Sequence, residues 1–399
     1  MHNQKIKIVF FISLIFVSFA CNDEPTAVGD ALIPNTDRIE LKKIDSYNNS
    51  FNQSFSTFQK DSLFFGASNR VLLGSYKNLS IDMLLGFGIL FPDSLKESIN
   101  KNEVVLKSSW IEMRPNYWIG DKSHLEFSVK EINQNWSSSN FNQDTLNAVK
   151  ASLGDDILIK DSYSFSDSLI KFSIDEQVVN KWVKQVAENT FALNNGLYFT
   201  PVSKTGIVGF QAIARFISSS FVTLNMVLEK PGVYVDTIKA VQSKDLHIVN
   251  KTEPEKNENS LILQSSSSIR GKLWFDVSSV PTDVVLNKAT LSLYIDEQHT
   301  FQGKPKTDSV VVSFFENKNQ NLVKKEFGIS VLFNKDNTYS GDIRQFVQRW
   351  INGENNEGME IKLSDEDRSA NTIAFFKSDY QVDSLRPRLT IFYTTVKEK

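Results

Sequence analysis

DIRQFVQRWINGENNEG, residues 342–358, predicts one short amphipathic helix followed by a turn. Apolar residues recur there at the spacing of a single helical face, namely Ile343, Phe346, Val347, Trp350 and Ile351. Asp342 is placed to cap the helix start, and Asn352-Gly353 is a typical helix end. Because the flanking residues alternate as β-strands do, this lone helix has to serve a β-structure rather than belong to a helical bundle.

A second stretch of the chain repeats this arrangement. IDEQVVNKWVKQVAENTFALNNG, residues 174–196, places four apolar residues as the first helix does, namely Val178, Val179, Trp182 and Val183. The strand-like segment NEVVLKSSWI, 102–111, precedes it, as NKATLSLYI, 287–295, precedes the other helix. Many elements recurring in one order indicate an internal repeat.

The repeat predicts an all-β fold with two tandem antiparallel β-sandwich domains, jelly-roll-like, each with one short helix that caps an open end. We expect the domains to span residues 41–230 and 234–399, joined by the Pro-Gly linker EKPGV, 229–233. Trp182 and Trp350 are then core residues. The same boundary predicts that residues 233–399 fold alone.

The N-terminus predicts export. Residues 1–20 have two lysines before a short apolar run, which is typical of a signal peptide. The run ends in VSFAC and resembles the lipobox of bacterial lipoproteins, which implies acylation of Cys21. Polar residues 21–40 then form a tether. The acidic pair Asp23-Glu24 resembles a surface-export signal of Bacteroidota lipoproteins. The implied location is the outer membrane at the cell surface, with its periplasmic face as the alternative.

Composition limits the remaining function classes. The net charge is −3 with a pI of about 5.9, and no basic stripe favours nucleic acid. With one cysteine the chain has no internal disulfide, so stability depends on a buried apolar core, and the sequence is rich in Phe, with thirty in the whole chain. No later segment is long and apolar enough to cross a bilayer.

The C-terminal copy resembles the DNRLRE family of secreted modules, which includes the family 96 carbohydrate-binding modules. Three phrases carry the resemblance: LWFDVSSVP followed by NKATLSLYI, DIRQFVQRWINGENNEGMEIKL, and RPRLTIFYT. The resemblance implies a β-sandwich of a surface-attached bacterial protein, and some family members bind acidic polysaccharides. Near the helix, LSDEDRSAN stands where the family has its DNRLRE-like stretch, so sugar binding is not carried over residue by residue.

We expect no catalytic residues, no metal site and no cofactor. The histidines after the signal lie in no GxSxG or HExxH context. The acidic group Asp365, Glu366 and Asp367 offers oxygen ligands for calcium. It lacks the spacing of a known calcium loop, so a solvated turn is the preferred interpretation.

Two loops with aromatic and basic residues are the candidate ligand site. RPNYWIGDK, 114–122, and FQGKPK, 301–306, stand at similar places in the two copies. The residues expected to contact a ligand are Arg114, Tyr117, Trp118, Lys122, Phe301 and Lys304. Exposed rings can pack on the apolar face of a sugar, but rings in hairpins also fold back on the sandwich edge.

The leading hypothesis is a surface-anchored lipoprotein that binds or associates with glycans and is not an enzyme. A structural or adaptor subunit of an outer-membrane protein assembly is the alternative, and a hydrolase comes third. The partner classes are therefore a polysaccharide, an outer-membrane protein, and the membrane through the lipid anchor.

Overall fold

The computed structural model describes residues 39–48, 51–60, 64–166, 168–190, 194–213, 221–250 and 257–396. The signal peptide, Cys21 and the tether up to residue 38 lie outside the described residues. The described part is mostly antiparallel β-structure, which confirms the predicted fold class.

The strands are numbered in chain order. Up to residue 166 they are β1 Ile39–Asp45, β2 Gln53–Gln59, β3 Phe64–Phe65, β4 Arg70–Tyr76, β5 Leu79–Gly88, β6 Val105–Met113, β7 Pro115–Gly120, β8 Phe127–Ile132, β9 Leu153–Asp156 and β10 Leu158–Ser166. Then follow β11 Leu169–Ile174, β12 Leu197–Pro201, β13 Thr205–Gln211, β14 Thr223–Lys230, β15 Tyr234–Asn250, β16 Ser260–Gln264, β17 Ile269–Phe275 and β18 Val285–Tyr294. The last are β19 Ser309–Asn317, β20 Leu322–Val323, β21 Ile329–Lys335, β22 Thr338–Asp342, β23 Met359–Leu363, β24 Thr372–Phe376 and β25 Arg388–Val396.

Within the described residues, β3–β15 form one 13-stranded sheet, and β1, β2 and β16–β25 form a 12-stranded sheet. Each sheet folds over on itself around an apolar core. The rings of Phe127 and Phe172 are 5.2 Å apart in the first sheet, although β8 and β11 are far apart in strand order. Tyr339 and Phe375 show the same in the second sheet, at 5.6 Å between β22 and β24. We call these units the first and the second sandwich.

Strand pairing corrects the predicted domain boundaries. Residues 234–250 were assigned to the second domain, but β15 pairs with β14 and β5 in the first sandwich. Residues 41–59 were assigned to the first domain, but β1 pairs with β25 and β2 pairs with β17 in the second. The Pro-Gly segment that was predicted to be a linker is a hairpin turn, in which the Val233 amide donates to the Lys230 carbonyl at 2.9 Å. Pro followed by Gly suits a tight turn as well as a linker, so the motif alone does not distinguish them.

The first described strand is held by a buried carboxylate. Asp45 accepts a hydrogen bond from Arg388 Nε at 2.9 Å and a second from Arg388 Nη2. Its Oδ1 also accepts from the Tyr47 amide at 3.1 Å. Burial alone would raise the pKa of Asp45, but the hydrogen bonds from Arg388 and Tyr47 outweigh it and lower the pKa to about 2. This bidentate pair therefore joins the two ends of the described chain.

The described helices are α1 Asp93–Asn100, α2 Gln143–Ala151, α3 Glu176–Ala187 and α4 Arg344–Ile351. The predicted helix faces are confirmed, because Trp182 and Trp350 are both buried in the cores. The Asp342 carboxylate accepts from the Arg344 amide at 2.9 Å, as expected of a residue at a helix start. The prediction of one helix per domain is wrong for the first sandwich, which also contains α1 and α2.

Helix α2 covers the outer surface of the sheet of the first sandwich. Its Leu146 and Val149 pack with Trp136, Phe141 and Tyr198 in a separate apolar cluster. This cluster lies on the side of the sheet away from the main core. Only two buried residues of α2 face the sheet, which is too short an apolar stripe for a clear helical pattern.

We expect a fragment of residues 233–399 not to melt cooperatively, because it lacks β1 and β2 and separates β15 from β14 and β5. A chain of residues 39–399 should melt cooperatively in circular dichroism. A synthetic peptide of residues 39–60 should restore a transition to a fragment of residues 257–399, and a scrambled peptide should not. A cooperative melt of the 233–399 fragment without the peptide would contradict this assignment.

The imidazole of His247 gives a pH prediction. It is fully buried, stacks on Phe65 at 4.9 Å, and its two nitrogens have no hydrogen-bond partner among the described residues. Burial lowers the pKa of His247 to about 3, below the ordinary 6.5. Between these values the unfolded chain binds the proton and the folded chain does not, so folding loses about 1.4 kcal/mol per pH unit as pH falls from 6.5 towards 3.

His247→Met should remove that part of the acid destabilisation and leave stability near pH 7 unchanged or higher. Urea unfolding at several pH values measures the difference from wild type, so other titrating groups cancel. His124→Met is the matched control, because the His124 side chain is 72% exposed. If the two variants have equal pH dependence, His247 does not carry the effect.

Candidate functional site

The two sandwiches meet across an apolar surface of the first sheet. Leu72, Ile81, Ile119 and Ile207 are buried there, on strands whose other residues line the core of the first sandwich. From the second sandwich, Ala370 and Phe301 pack on this surface. β4 and β5 are thus covered on both sides, which explains their nearly unbroken apolar sequences VLLG and DMLLGFG.

Backbone and amide bonds join the two sandwiches at this interface. The Trp118 amide donates to the Lys304 carbonyl at 3.1 Å, and the Lys304 amide donates to the Trp118 carbonyl at 2.8 Å. Gln264 Nε2 donates to Asn78 Oδ1 at 3.1 Å. Gly303 fits because a Cβ there would lie 2.5 Å from the Trp118 carbonyl oxygen. The two predicted loops therefore bind each other.

Asn371 organises the polar part of the interface. Its Oδ1 accepts from the Tyr117 hydroxyl at 3.0 Å and from the Gly303 amide at 2.7 Å. Its Nδ2 donates to Thr307 Oγ1 at 2.6 Å and to Asp365 Oδ2 at 2.9 Å. The Tyr117 hydroxyl accepts in turn from the Ala370 amide at 3.0 Å. One buried amide thus accepts a hydrogen bond from each predicted loop and donates to Thr307 and Asp365 outside them.

Asp365 is part of this network and Glu366 is held by an arginine, which differs from the predicted solvated turn, whereas the Asp367 side chain is 43% exposed. Asp365 accepts from Thr307 Oγ1 at 2.6 Å and Glu366 accepts from Arg270 Nε at 2.7 Å. Arg270 also donates to Glu360 at 3.0 Å. Burial alone would lower the pKa of Arg270, but the two carboxylates outweigh it and raise the pKa. Among the described residues, no group of three His, Cys, Asp or Glu is arranged to hold a metal ion.

The structure places Tyr117, Trp118, Phe301 and Lys304 at this interface. Arg114 instead pairs with Glu112 of the first sandwich at 3.7 Å. Tyr117 is fully buried, so its ring does not reach a ligand from solvent. Lys122 Nζ lies 4.3 Å from the Trp118 ring centroid, and Lys77 Nζ lies 2.9 Å from that of Phe301. With one face covered by a lysine and the rest packed on a sandwich, neither ring is an open platform for a sugar. Arg114 and Lys304 are exposed.

A polar cleft of about 260 Å³ opens at the interface, beside the buried Tyr117. It is lined by amide and guanidinium side chains, namely Asn69, Arg70, Asn116, Gln211 and Arg368. Arg70 comes from the first sandwich and Arg368 from the second. The described lining residues include no carboxylate, so the cleft carries two positive charges in a chain that is net negative.

Arg70 is the first residue of β4, and hydrogen bonds and a buried ring hold its side chain in place. Its Nε donates to Asn116 Oδ1 at 2.7 Å, and its Nη1 donates to the Arg368 carbonyl at 2.6 Å. The guanidinium carbon lies 5.0 Å from the centroid of the Tyr117 ring, a cation–π contact. Arg368 is half-buried and donates from Nη2 to the Ser364 carbonyl at 3.3 Å. The first predicted loop is thus largely strand β7, which carries Tyr117 and Trp118 and also forms one wall of the cleft through Asn116.

The sequence interpretation missed Arg70, Gln211 and Arg368. Arg70 begins β4 and Gln211 ends β13, whereas Arg368 lies in the turn between β23 and β24. Nothing in their local sequences marks them as facing the same cleft. Asn116 lies within the first predicted loop, but an Asn beside two aromatic residues is not by itself a sign of a ligand site.

No family model matches the chain, and no curated protein matches it. Among solved structures, the C-terminal domain of the AgI/II polypeptide BspA from Streptococcus agalactiae aligns with 87% of this chain and 92% of that chain. The identity is 12% and the TM-score is 0.16, which is too low to carry an argument. No helix of the described residues is long and apolar enough to span a membrane.

Tyr117→Phe should lower the free energy of unfolding by about 1–3 kcal/mol, because the buried Ala370 amide loses its acceptor. Tyr47→Phe, at a side chain that is half exposed, is the control and should change stability by less than about 0.5 kcal/mol. Urea unfolding followed by fluorescence measures both. A Tyr117→Phe variant as stable as the control would show that the hydroxyl is not needed at the interface.

Proposed function

We propose that this protein is a surface-anchored lipoprotein that binds a glycan, without catalysis, in the cleft between its two sandwiches. The observation that carries the proposal is the lining of that cleft, in which amide and guanidinium side chains from both sandwiches converge. Binding sites are common at domain interfaces, where two rigid elements position the contacting groups.

The chemistry of the lining favours an acidic sugar. Asn and Gln side chains both donate and accept hydrogen bonds, as sugar hydroxyls do. Arg presents a planar fork of donors that matches a carboxylate or sulfate. The cleft is smaller than the roughly 300–1,000 Å³ of drug-sized ligand sites, so it suits one residue of a polymer rather than a free oligosaccharide.

The proposed anchor is the acylated Cys21, in the outer membrane with the sandwiches at the cell surface, or at its periplasmic face as the alternative. The lipobox-like VSFAC and the following polar residues support it. The resemblance of the second copy to DNRLRE modules supports a secreted glycan-associated protein, because some modules of that family bind acidic polysaccharides.

The alternative proposal is an adaptor subunit of an outer-membrane protein assembly. Its support is a shallow groove of about 460 Å³ on the first sandwich, where Pro92, Leu95, Tyr234 and Val235 are among the lining residues. Val235 is largely exposed there, as is Val233 at the adjoining turn. Apolar side chains in such a position suit a protein partner better than a sugar.

Glycan binding is tested by affinity electrophoresis of residues 22–399 in gels that contain alginate, a polyuronate, or neutral dextran. We expect retention by alginate and not by dextran. Arg368→Gln should weaken apparent binding by roughly tenfold or more, because a charged hydrogen bond to the sugar carboxylate is lost. Added salt should weaken it too, because exposed charges are screened over about 8–10 Å.

Arg344→Gln is the matched control. Like Arg368, Arg344 donates one hydrogen bond to a backbone carbonyl, at 3.3 Å to Asn287, but it lies on the second sandwich outside the cleft. The control should be retained as the wild type is. Equal weakening by both variants would move the site away from the cleft. Absence of retention by any glycan, together with capture of an outer-membrane protein, would favour the adaptor.

A further inference from the structure

The outer surface of the second sandwich carries exposed aliphatic residues beside the N-terminal strand. Register places Leu41, Thr394 and Val285 in one row across β1, β25 and β18. Ile39 lies two residues further along the same side of β1. Ile39 is 75% exposed, Leu41 61% and Val285 72%. Their strand neighbours Ile44, Tyr393 and Leu286 face the core, so this side of the sheet points away from it.

The next row of the same surface is aromatic and basic. Register aligns Lys43, Phe392 and Lys288 across the three strands. The Lys43 ammonium lies 5.9 Å from the Phe392 ring centroid. Lys43 also lies 3.4 Å from Asp45, whereas no described acid pairs with Lys288. We call Ile39, Leu41, Val285, Lys288 and Phe392 the apolar–basic face.

The position of this face relative to the proposed anchor decides its partner. Ile39 stands 18 positions after Cys21. For a random coil of 18 residues the end-to-end distance is roughly 20–25 Å. If Cys21 carries the lipid, the apolar–basic face is therefore the part of the described structure that the tether holds near the bilayer.

We propose that the apolar–basic face lies on an anionic lipid surface, so that the second sandwich is next to the membrane and the first sandwich points away from it. The inference rests on the proposed lipid anchor for its geometry. Aliphatic side chains and a ring enter the boundary between headgroups and acyl chains, and flanking lysines pair with anionic headgroups.

The shape of the face favours a lipid surface over a protein partner. The three aliphatic residues lie on the surface of a sheet near its edge, and none of the five best-defined clefts of the described residues includes them. A protein partner generally needs a complementary pocket for its central residues. A fluid bilayer adapts to a flat surface and needs none.

The test is vesicle flotation of residues 22–399, which keep every described residue and lack the acylated cysteine. Vesicles of phosphatidylethanolamine with phosphatidylglycerol should carry the protein upward, and vesicles of phosphatidylcholine should carry much less. Ile39→Ser, Leu41→Ser and Val285→Ser together should lower the bound fraction roughly tenfold. Lys288→Glu should reduce binding to the anionic vesicles specifically.

The matched control is Leu90→Ser, Val202→Ser and Val241→Ser, three aliphatic residues on the first sandwich that are 86%, 66% and 47% exposed. It should float as the wild type does. Unchanged flotation of the first triple variant, equal loss in both, or no flotation of the wild type would overturn the proposal. So would a dimer of the wild type in light scattering that the first triple variant abolishes, because a second copy would then cover the face.

The two proposals fail separately. Retention by alginate depends on the interdomain cleft and should be equal in the first triple variant and in wild type. Incorporation of labelled fatty acid into cells, lost in Cys21→Ser, reports on the anchor alone. Normal circular dichroism melts confirm that both triple variants are folded.

Discussion

The pairing of β1 with β25, fixed by Asp45 and Arg388, is the constraint on which the rest of the structure depends. It joins residues that are 343 positions apart. A carboxylate placed in this buried position without its guanidinium partner would be strongly unfavourable, so the two ends of the chain must meet for the second sandwich to be complete. Everything between them, including the whole first sandwich, is then a closed loop that leaves the second sandwich at β2 and returns at β16. The chain segments that follow β2 and precede β16 both join the first sandwich to the second, and these two connections keep the sandwiches close enough to form an interface.

The strands that complete each sandwich have related roles. The first half of β15 pairs with β14 and its second half pairs with β5. In the second sandwich, β1 pairs with β25 and β2 pairs with β17, so two short strands do what one long strand does in the first. The first copy of the repeat is completed by β15, which precedes the second copy in the chain. The second copy is completed by β1 and β2, which precede the first copy. This pairing holds the two copies in a fixed relation, on which the cleft lined by Arg70 and Arg368 depends.

Local patterns in the sequence were sufficient for the two repeated helices and many strands, but not for the short helices α1 and α2 or for the partners of the strands. The helix faces around Trp182 and Trp350 follow from spacing alone, and the structure confirms them. Pro231-Gly232 suits a hairpin and a linker equally, so the boundary depended on pairing across hundreds of residues, which no local pattern encodes. Tyr117 and Trp118 were taken for ligand contacts because rings next to Gly and Lys suit both an exposed site and a buried interface. One signal of a buried interface was available. The segments VLLG and DMLLGFG do not alternate between polar and apolar residues, as strands with one solvated side do. The cleft residues gave no such signal, because an Arg or Gln at a strand end is usually a solvated surface residue.

Closure by the terminal strands also sets an order of events. A chain synthesised from its N-terminus delivers β1 and β2 first, yet their partners β17 and β25 arrive later, and β25 is the last of the described strands. The first sandwich can form before that, since all of its strands lie between residues 64 and 250. The second sandwich has to wait with two unpaired strands until β25 emerges. Contacts of such long sequence separation fold slowly, and an unpaired strand is open to incorrect pairing in the meantime. The closed topology of the finished protein thus creates a late stage of folding in which β1 and β2 are exposed without their partners.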